Sequence, residues 1–362
     1  MSNPYAVIMA GGRGERFWPQ SRAARPKHLL PIIGEQPMVA QTVARLAGLV
    51  PPQRVFILTN AEHVAAIRAA CPEVPAAQII GEPVGRDTAP AAALAALLVR
   101  RQEANGVLAL LAADAAIHDN AGFRTALGAA FAAASSEDYI YTIGVPPAFP
   151  ATAYGYLRLG QKLGESKGQP WYRVEKFVEK PDRATAEKYL QEGAYLWNAG
   201  MFVVRAAVLE KEFRQHAPAI ADGMKDLDGK LNQGIDLAEA LAAVYPGLTK
   251  ISVDFAVMEK AAKMAVFKAT FDWDDVGEWP ALVRHAEADA AGNVTRGDTA
   301  LHEARGNIVV GESGHLVALL GVDDLVVVQT PDATLVCPKA RAQELKKLLQ
   351  TVAAKPQGAR WL

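Results

Sequence analysis

Between Ala10 and Leu29 the chain reads Ala-Gly-Gly-Arg-Gly-Glu-Arg-Phe-Trp-Pro-Gln-Ser-Arg-Ala-Ala-Arg-Pro-Lys-His-Leu, directly after the apolar run Ala6-Val7-Ile8-Met9. A buried strand that opens into glycines presents backbone amides to a ligand, because Gly11, Gly12 and Gly14 admit approaches that a Cβ would block. Arg13, Arg16, Arg22, Arg25 and Lys27 surround that cradle with cations, and the combination suits a polyphosphate. Two commoner glycine loops are excluded. The Walker string Gly-x4-Gly-Lys-Ser/Thr does not occur, and the dinucleotide fingerprint fails because Phe17 stands where its third glycine belongs. A bare Gly-Gly-x-Gly is as readily a tight turn with a basic surface. The conjunction with Arg16, Trp18-Pro19 and Pro26-Lys27 makes it specific.

Five further features carry candidate chemistry, and each has a plainer reading. Gly81-Glu82-Pro83-Val84-Gly85-Arg86-Asp87-Thr88-Ala89-Pro90 is, taken alone, a loop and helix cap. Asp114, after the apolar run Leu108 to Ala112, is taken alone a turn acid. The acids of Asp272-Trp273-Asp274-Asp275-Val276-Gly277-Glu278-Trp279 would be a solvated turn. Phe177-Val178-Glu179-Lys180-Pro181 would be a strand end with an exposed ion pair, worth little. In Trp197-Asn198-Ala199-Gly200-Met201-Phe202 the tryptophan and methionine read as core, but Asn198 is costly to bury without partners. The seven histidines are scattered, and no Ser-His-Asp or Cys-His set stands out.

Together these strings resemble the sugar-nucleotide pyrophosphorylases, whose first loop reads Gly-Gly-x-Gly-x-Arg, then Pro, then Pro-Lys. The Phe-Trp-Pro-Gln-Ser-Arg continuation is similar to the mannose-1-phosphate guanylyltransferase branch, and the resemblance runs from the first loop through Leu325-Val326-Val327-Val328-Gln329-Thr330. It implies GMP transfer from GTP to mannose 1-phosphate, giving GDP-mannose and pyrophosphate. Ala10, Gly11, Gly12 and Gly14 would then hold the triphosphate, with Arg16 and Lys27 neutralising it. Glu82, Pro83, Arg86, Thr88 and Ala89 would receive the purine, with Asp87 where the branch has Asn. A carboxylate at Glu82 can accept from the guanine ring N–H and exocyclic amine, a pair adenine does not offer.

By the same resemblance, Lys180 meets the phosphate of the sugar 1-phosphate. Glu179 and Asn198 hold sugar hydroxyls, Gly155 of Ala153-Tyr154-Gly155-Tyr156 packs against the sugar, and Gly200 leaves room for the hexose. Asp114 and Asp275 would ligate Mg²⁺, although Ala115 stands where the family has His. Asp254-Phe255-Ala256-Val257-Met258-Glu259-Lys260 matches a further branch segment, in which Val257 and Met258 read as packing and Lys260 as solvated. A sugar phosphate is anionic near neutrality, with a second pKa of about 6, so no general base is required. Two alternatives stay open. One is a pyrophosphorylase for a heptose or glucose 1-phosphate, since Phe-Trp-Pro and Gly-Arg-Asp-Thr-Ala-Pro disfavour pyrimidine nucleotides but discriminate the sugar less well. The other is a catalytically silent nucleotide-sugar sensor, which would be expected to lose Arg16, Lys27, Asp114 or Asp275.

These residues need a scaffold of strands ending at loops. Val55 to Thr59, Val107 to Ala112 and Tyr139 to Gly144 read as strands. Ala61 to Ala70 (after an Asn60 cap), Ala89 to Arg101 and Phe123 to Ala134 read as helices between them. Alternation of this kind predicts an α/β, Rossmann-like, mostly parallel mixed sheet with ligands beyond its carboxyl edge. From about Gly292 short apolar strands separated by Gly, Asp and Pro predict a small β unit, closed by a helix with Leu345, Leu348, Leu349 and Val352 along one face. The resemblance implies that this tail is a short left-handed β-helix, as in some members, and serves a homodimer. The expected domains are 1–290, catalytic, and 291–362, the tail.

A chain of 362 residues exceeds the size at which one core stops growing, in keeping with two domains. Its 51% hydrophobic and 21% charged residues fit a soluble globular protein, and a net charge of -1 argues against nucleic-acid or membrane partners. Cys71 and Cys337 lack disulfide or zinc spacing, and the N-terminus lacks leader character, so a cytoplasmic setting is expected. With the sequence running to Leu362, the cupin-like isomerase domain that some members add, and its activity, are not expected.

Overall fold

The structure, a computed structural model, describes residues 4–362; the first three residues of the expected 1–290 domain lie outside the described residues. The chain gathers into two compact units that do not follow one cut in the sequence. The first takes the chain up to Gly11 with Thr42–Ala113 and Ile117–Asp274, and the second takes Gly12–Gln41, Asp114–Ala116 and Asp275–Leu362.

The first unit is built on a nine-stranded sheet. Its strands are β1 (Tyr5–Ala10), β2 (Val55–Asn60), β3 (Ile79–Glu82), β4 (Val107–Ala112), β5 (Ile140–Val145), β6 (Tyr156–Ser166), β7 (Gln169–Val178), β8 (Tyr195–Arg205) and β9 (Met264–Lys268). Their order is β3-β2-β1-β4-β8-β5-β9-β7-β6. Seven of the nine run the same way, and β8 and β7 are reversed, so the expected mostly parallel mixed sheet is present. β1 reads as a continuous apolar run because helices cover both faces of a parallel strand; Val7 and Ile8 are fully buried. The helix Thr88–Gln102 is buried without a break from Ala89 to Val99, as suits a helix that is apolar all round. Asp87 caps it, accepting from the Thr88 amide at 2.8 Å.

The helix expected from Ala61 to Ala70 is corrected. The chain after β2 starts as a 3₁₀ turn, Ala61–His63, and becomes α-helical only over Val64–Ala70. Asn60 makes no capping bond, and its Oδ1 is buried without a partner. It is the last residue of β2, paired in register with Glu82 of β3, so the sheet sets its backbone.

In the second unit β10 (Val294–Arg296), β12 (Ile308–Val310) and β14 (Leu325–Gln329) stack in parallel, and β15 (Thr334–Pro338) closes on β14 antiparallel. β11 (Thr299–His302) pairs in parallel with β13 (Val317–Leu320). Parallel strands stacked without intervening helices are the rungs of a β-helix-like coil. Val294, Ile308 and Val326 lie in register down one stack and are buried. At the corners Asn307 donates to the Asn293 Oδ1 at 3.0 Å and accepts from the Leu325 amide at 2.9 Å, so these buried amides are paired. In the closing helix, Leu345–Ala353, the inner face is Leu345 and Leu349; Leu348, expected beside them, points outward at 41% exposure. Residues four apart stay on one narrow stripe, whereas the third residue falls to its edge. Among the described residues no helix is long and apolar enough to cross a membrane.

Candidate active site

In the second unit the phosphate-type residues close on one ammonium group. Lys27 Nζ donates to Asp114 Oδ2 at 2.8 Å, to the Asp114 carbonyl at 3.1 Å and to the Asp275 carbonyl at 2.8 Å. Its side chain is only 5% exposed, and Nζ lies 5.6 Å from the centre of the Phe17 ring. Burial alone would raise the Asp114 carboxyl; the Lys27 charge and hydrogen bond, with smaller contributions, outweigh it and hold the group below the ordinary aspartate range.

Gly14 explains how Lys27 packs this tightly. Its φ is 65°, in the left-handed region, and a Cβ there would lie 2.2 Å from the Lys27 Cβ. Gly14 is therefore a packing requirement of Lys27 as well as part of the loop, and its carbonyl accepts from Ser21 Oγ at 2.7 Å. Gly12 is exposed and open, as an amide donor toward a ligand must be. Arg16 donates to the Gly277 carbonyl at 3.4 Å. A Cβ on Gly277 would meet Asp275 Oδ2 at 2.8 Å and Arg16 Nη1 at 3.3 Å. Between them Val276 is fully buried at φ 45°, a conformation that a β-branched residue adopts only when its surroundings over-determine it. Strain thus sits directly beside Asp275. Of the remaining loop cations, Arg22 is spent on structure, bonding the Pro19 and Trp361 carbonyls and Asp332, while Arg13 and Arg25 are exposed. Ala115 is buried.

The first unit holds the residues expected at base and sugar. Glu82 ends β3 and is 5% exposed; its Oε1 accepts from the Tyr245 hydroxyl, and its Oε2 lies 3.5 Å from where a Gly11 Cβ would be. Burial pushes the Glu82 carboxyl up to about 7, against the lowering effect of the Tyr245 bond. Arg86 donates to the Pro246 carbonyl, Thr88 Oγ1 accepts from the Val253 amide at 2.8 Å, and the Ala89 amide donates to the Ile251 carbonyl at 3.0 Å. These three thus tie the purine-type loop to the segment 246–253, and Pro83 is exposed. The Ala10 carbonyl accepts from Thr59 Oγ1 at 2.9 Å.

A raised acid binds its proton more tightly folded than unfolded. The stability tied to Glu82 is therefore full below the ordinary glutamate pKa and lost as pH rises through about 7. Between pH 5 and pH 8 the wild-type unfolding midpoint should fall further than that of Glu82→Gln, as thermal melts at the two pH values will show. Equal falls would remove Glu82 from the account of pH dependence.

At the sugar-type cluster, the Gly155 carbonyl accepts from the Asn198 amide at 2.8 Å. Asn198 Oδ1 accepts from Thr142 Oγ1 at 3.1 Å and from the Gly200 amide at 3.2 Å, and its Nδ2 donates to Asp254 Oδ1 at 3.4 Å. Burial, then the nearby Glu179 charge, raises the Asp254 carboxyl to about 6. Glu179 is ion-paired with Lys180, whose own side chain is 59% exposed. Gly200 has φ 66° and open space beyond it. Asn198 is thus held by the protein on both ends of its amide, which is how a buried polar side chain is accommodated.

A Gly155 Cβ would come within 2.5 Å of Glu179 Oε2 and 3.3 Å of the Asn198 Cβ. Because the closest atom is the end of a side chain, Gly155→Ala should displace that carboxylate rather than unfold the unit. Steady-state kinetics should show KM for the sugar phosphate rising about tenfold with little change in melting temperature. An unchanged KM would show that the Glu179 carboxylate does not meet the sugar.

Sequence reasoning missed Tyr245, Thr142 and the mechanical part of Gly14 and Gly277. Tyr245 lies 163 residues from Glu82, in a Tyr-Pro-Gly turn with no marking of its own. Thr142 is one polar residue inside an apolar strand, a weak signal that Asn198 needed a donor.

Fold and site together define a nucleotidyl transferase with a β-helix-type tail. Residues 5–292 match the nucleotidyl transferase family model, and residues 297–352 match that of the MannoseP isomerase/GMP-like beta-helix domain. Among known proteins, the chain is 39% identical over 346 residues to a mannose-1-phosphate guanylyltransferase of Klebsiella pneumoniae, covering 95% of this chain and 73% of that protein. It is 36% identical over 353 residues to the alginate biosynthesis protein AlgA of Pseudomonas aeruginosa, covering 96% of this chain and 72% of that one. A crystal structure of a mannose-1-phosphate geranyltransferase from Thermus thermophilus superposes with a TM-score of 0.86 at 38% identity, covering 98% of this chain and all of that one. The chain belongs to the mannose-1-phosphate guanylyltransferase family.

Proposed function

We propose that the protein transfers GMP from GTP to α-D-mannose 1-phosphate, releasing GDP-mannose and pyrophosphate. The observation that carries this reading is the buried Lys27 ammonium, locked between Asp114 and Asp275 at the foot of a glycine-rich loop. It is a fixed charge, held in place by acceptors from both residues. Such an arrangement suits phosphoryl chemistry, in which positioning and charge neutralisation supply most of the rate. The sugar phosphate is already a nucleophile, so attack on the α-phosphorus needs no base. In this reading the second unit handles phosphate charge: the Gly12 and Gly14 loop receives the triphosphate, and Arg16 and Lys27 stabilise the departing pyrophosphate. The first unit takes the guanine base and the sugar 1-phosphate. The Glu82 to Ala89 loop takes the base, Lys180 the phosphate of the sugar 1-phosphate, and Gly155, Glu179, Asn198 and Gly200 the hexose.

A divalent cation fits the donor set. Among the described residues no cluster of three or more His, Cys, Asp or Glu side chains is gathered, so an all-protein cage is absent. Mg²⁺ is typically held by one or two carboxylates completed by substrate phosphates, and Asp114 and Asp275 would supply those carboxylates. When bound it would supply positive charge against the phosphates. The proposal also includes a cytoplasmic setting, a functional division near residue 290, and a homodimer formed through the tail, where Leu316, Leu320 and Val336 are exposed.

The test is pyrophosphate release across GTP, ATP, UTP and dTTP, each with mannose, glucose and heptose 1-phosphates. GTP with mannose 1-phosphate and Mg²⁺ should give the highest kcat/KM, and a chelator should abolish it. A higher value with another sugar would move the assignment within the family, and no release with any pair would support a silent sensor.

A further inference from the structure

One stretch of the second unit has no part in the chemistry above, yet it grips the loop that carries it. The turn Gly358–Trp361 brings its backbone to the signature loop: Trp18 Nε1 donates to the Trp361 carbonyl at 2.6 Å, and the Arg22 guanidinium donates to the same oxygen. The Ala23 amide donates to the Leu362 carbonyl at 3.1 Å. The turn itself is fixed. A Cβ on Gly358 would lie 2.0 Å from the Val352 carbonyl oxygen, so only glycine packs against the end of the helix Leu345–Ala353. The Arg360 guanidinium also stacks 4.3 Å over the Trp361 ring.

From Trp18 the contacts run on to the ammonium. The Trp18 carbonyl accepts from Trp279 Nε1 at 3.0 Å, and the Phe17 and Trp279 rings meet edge to face at 5.0 Å. Phe17 in turn carries the Lys27 ammonium over its ring, as described above. Phe17, Trp18 and Trp279 are all buried. Close-packed side chains of this kind do not deform gradually, so loss of one end moves the other. A 3₁₀ turn of three residues, Glu15–Phe17, has too few internal bonds to hold its own geometry.

We infer that the segment 358–362 is a clamp on the phosphate loop, with Trp18 and Arg22 as positioning residues that act through Phe17 and Trp279 on Lys27. The catalytic consequence rests on the reading of Lys27 given above, whereas the mechanical part does not. Deleting residues 358–362 should raise amide hydrogen exchange across residues 15–25 and leave β1 to β4 protected. It should also lower kcat for pyrophosphate release by about tenfold or more, since small misplacements of reacting groups cost that much, with KM for mannose 1-phosphate unchanged. In the intact chain Trp18→Phe and Arg22→Met should each reproduce part of both effects, which keeps the test valid if the deletion protein fails to fold. Trp18→Phe should add nothing in the deletion background, where its partner is already gone. Unchanged exchange in the deletion protein, or in both single variants, overturns the clamp whatever the activity. Raised exchange with wild-type kcat overturns the positioning role. If the wild-type chain releases no pyrophosphate at all, the proposed reaction fails, and the exchange data alone decide the clamp.

Discussion

Lys27→Met is expected to lower kcat by about three orders of magnitude, the scale on which removal of a preorganised donor acts in a desolvated site. Methionine keeps much of the unbranched apolar stem, so the packing on Phe17 survives while the charge is lost. Three hydrogen bonds then disappear together, and the carbonyls of Asp114 and Asp275 lose the group that draws them to one point. KM for GTP should change far less than kcat, because the residues assigned to the base and sugar are in the first unit. Single-turnover kinetics at saturating GTP and Mg²⁺ checks this, and normal turnover would remove Lys27 from the chemistry. Arginine is not an equivalent replacement, since its planar fork does not reproduce three bonds around one nitrogen.

Gly14→Ala should be nearly as damaging by a different route. The residue must hold a left-handed conformation, which costs a non-glycine residue about 1–2 kcal/mol. Its new methyl would also meet the Lys27 Cβ at 2.2 Å and the Lys27 backbone nitrogen at 3.0 Å. The nearest atoms are backbone or anchored to it, so no rotamer change relieves the contact, and Lys27 must move with its chain. A fall in kcat of about a hundredfold follows from that displacement. Gly229→Ala, inside the helix Pro218–Asn232 and outside the assigned site, serves as the control, since nothing lies within 4 Å of a Cβ there. If both variants kept wild-type rates, the close packing of Gly14 on Lys27 would have no catalytic meaning.

The fold was legible where hydrophobic patterning is strong. β1, β2 and β4 read as short apolar runs, the helix Thr88–Gln102 as a long one, and the tail as short strands between turn residues. Local conformations decided by neighbours were less so. Asn60 looks like a cap but is held by the sheet, and Leu348 looks like core but misses the narrow stripe of the last helix. Individual glycines and charges of the candidate site stood out because their motifs are local strings. What holds them in place did not. Tyr245 reaches Glu82 and Trp361 reaches Trp18 across long separations that no periodicity encodes, and Gly277 and Val276 act through shape against Arg16 and the core. A motif records which groups face a ligand, whereas their supports need only the right size and a donor or acceptor.

Following the phosphorus atoms of GTP tests the central claim most directly. With mannose 1-phosphate and Mg²⁺, label at the α-phosphorus should pass into the nucleotide sugar, and label at the β- or γ-phosphorus should leave as pyrophosphate. Neither release should proceed without the sugar phosphate. Label from the γ-phosphorus appearing on the sugar, or GTP cleavage independent of mannose 1-phosphate, would contradict guanylyl transfer by this site.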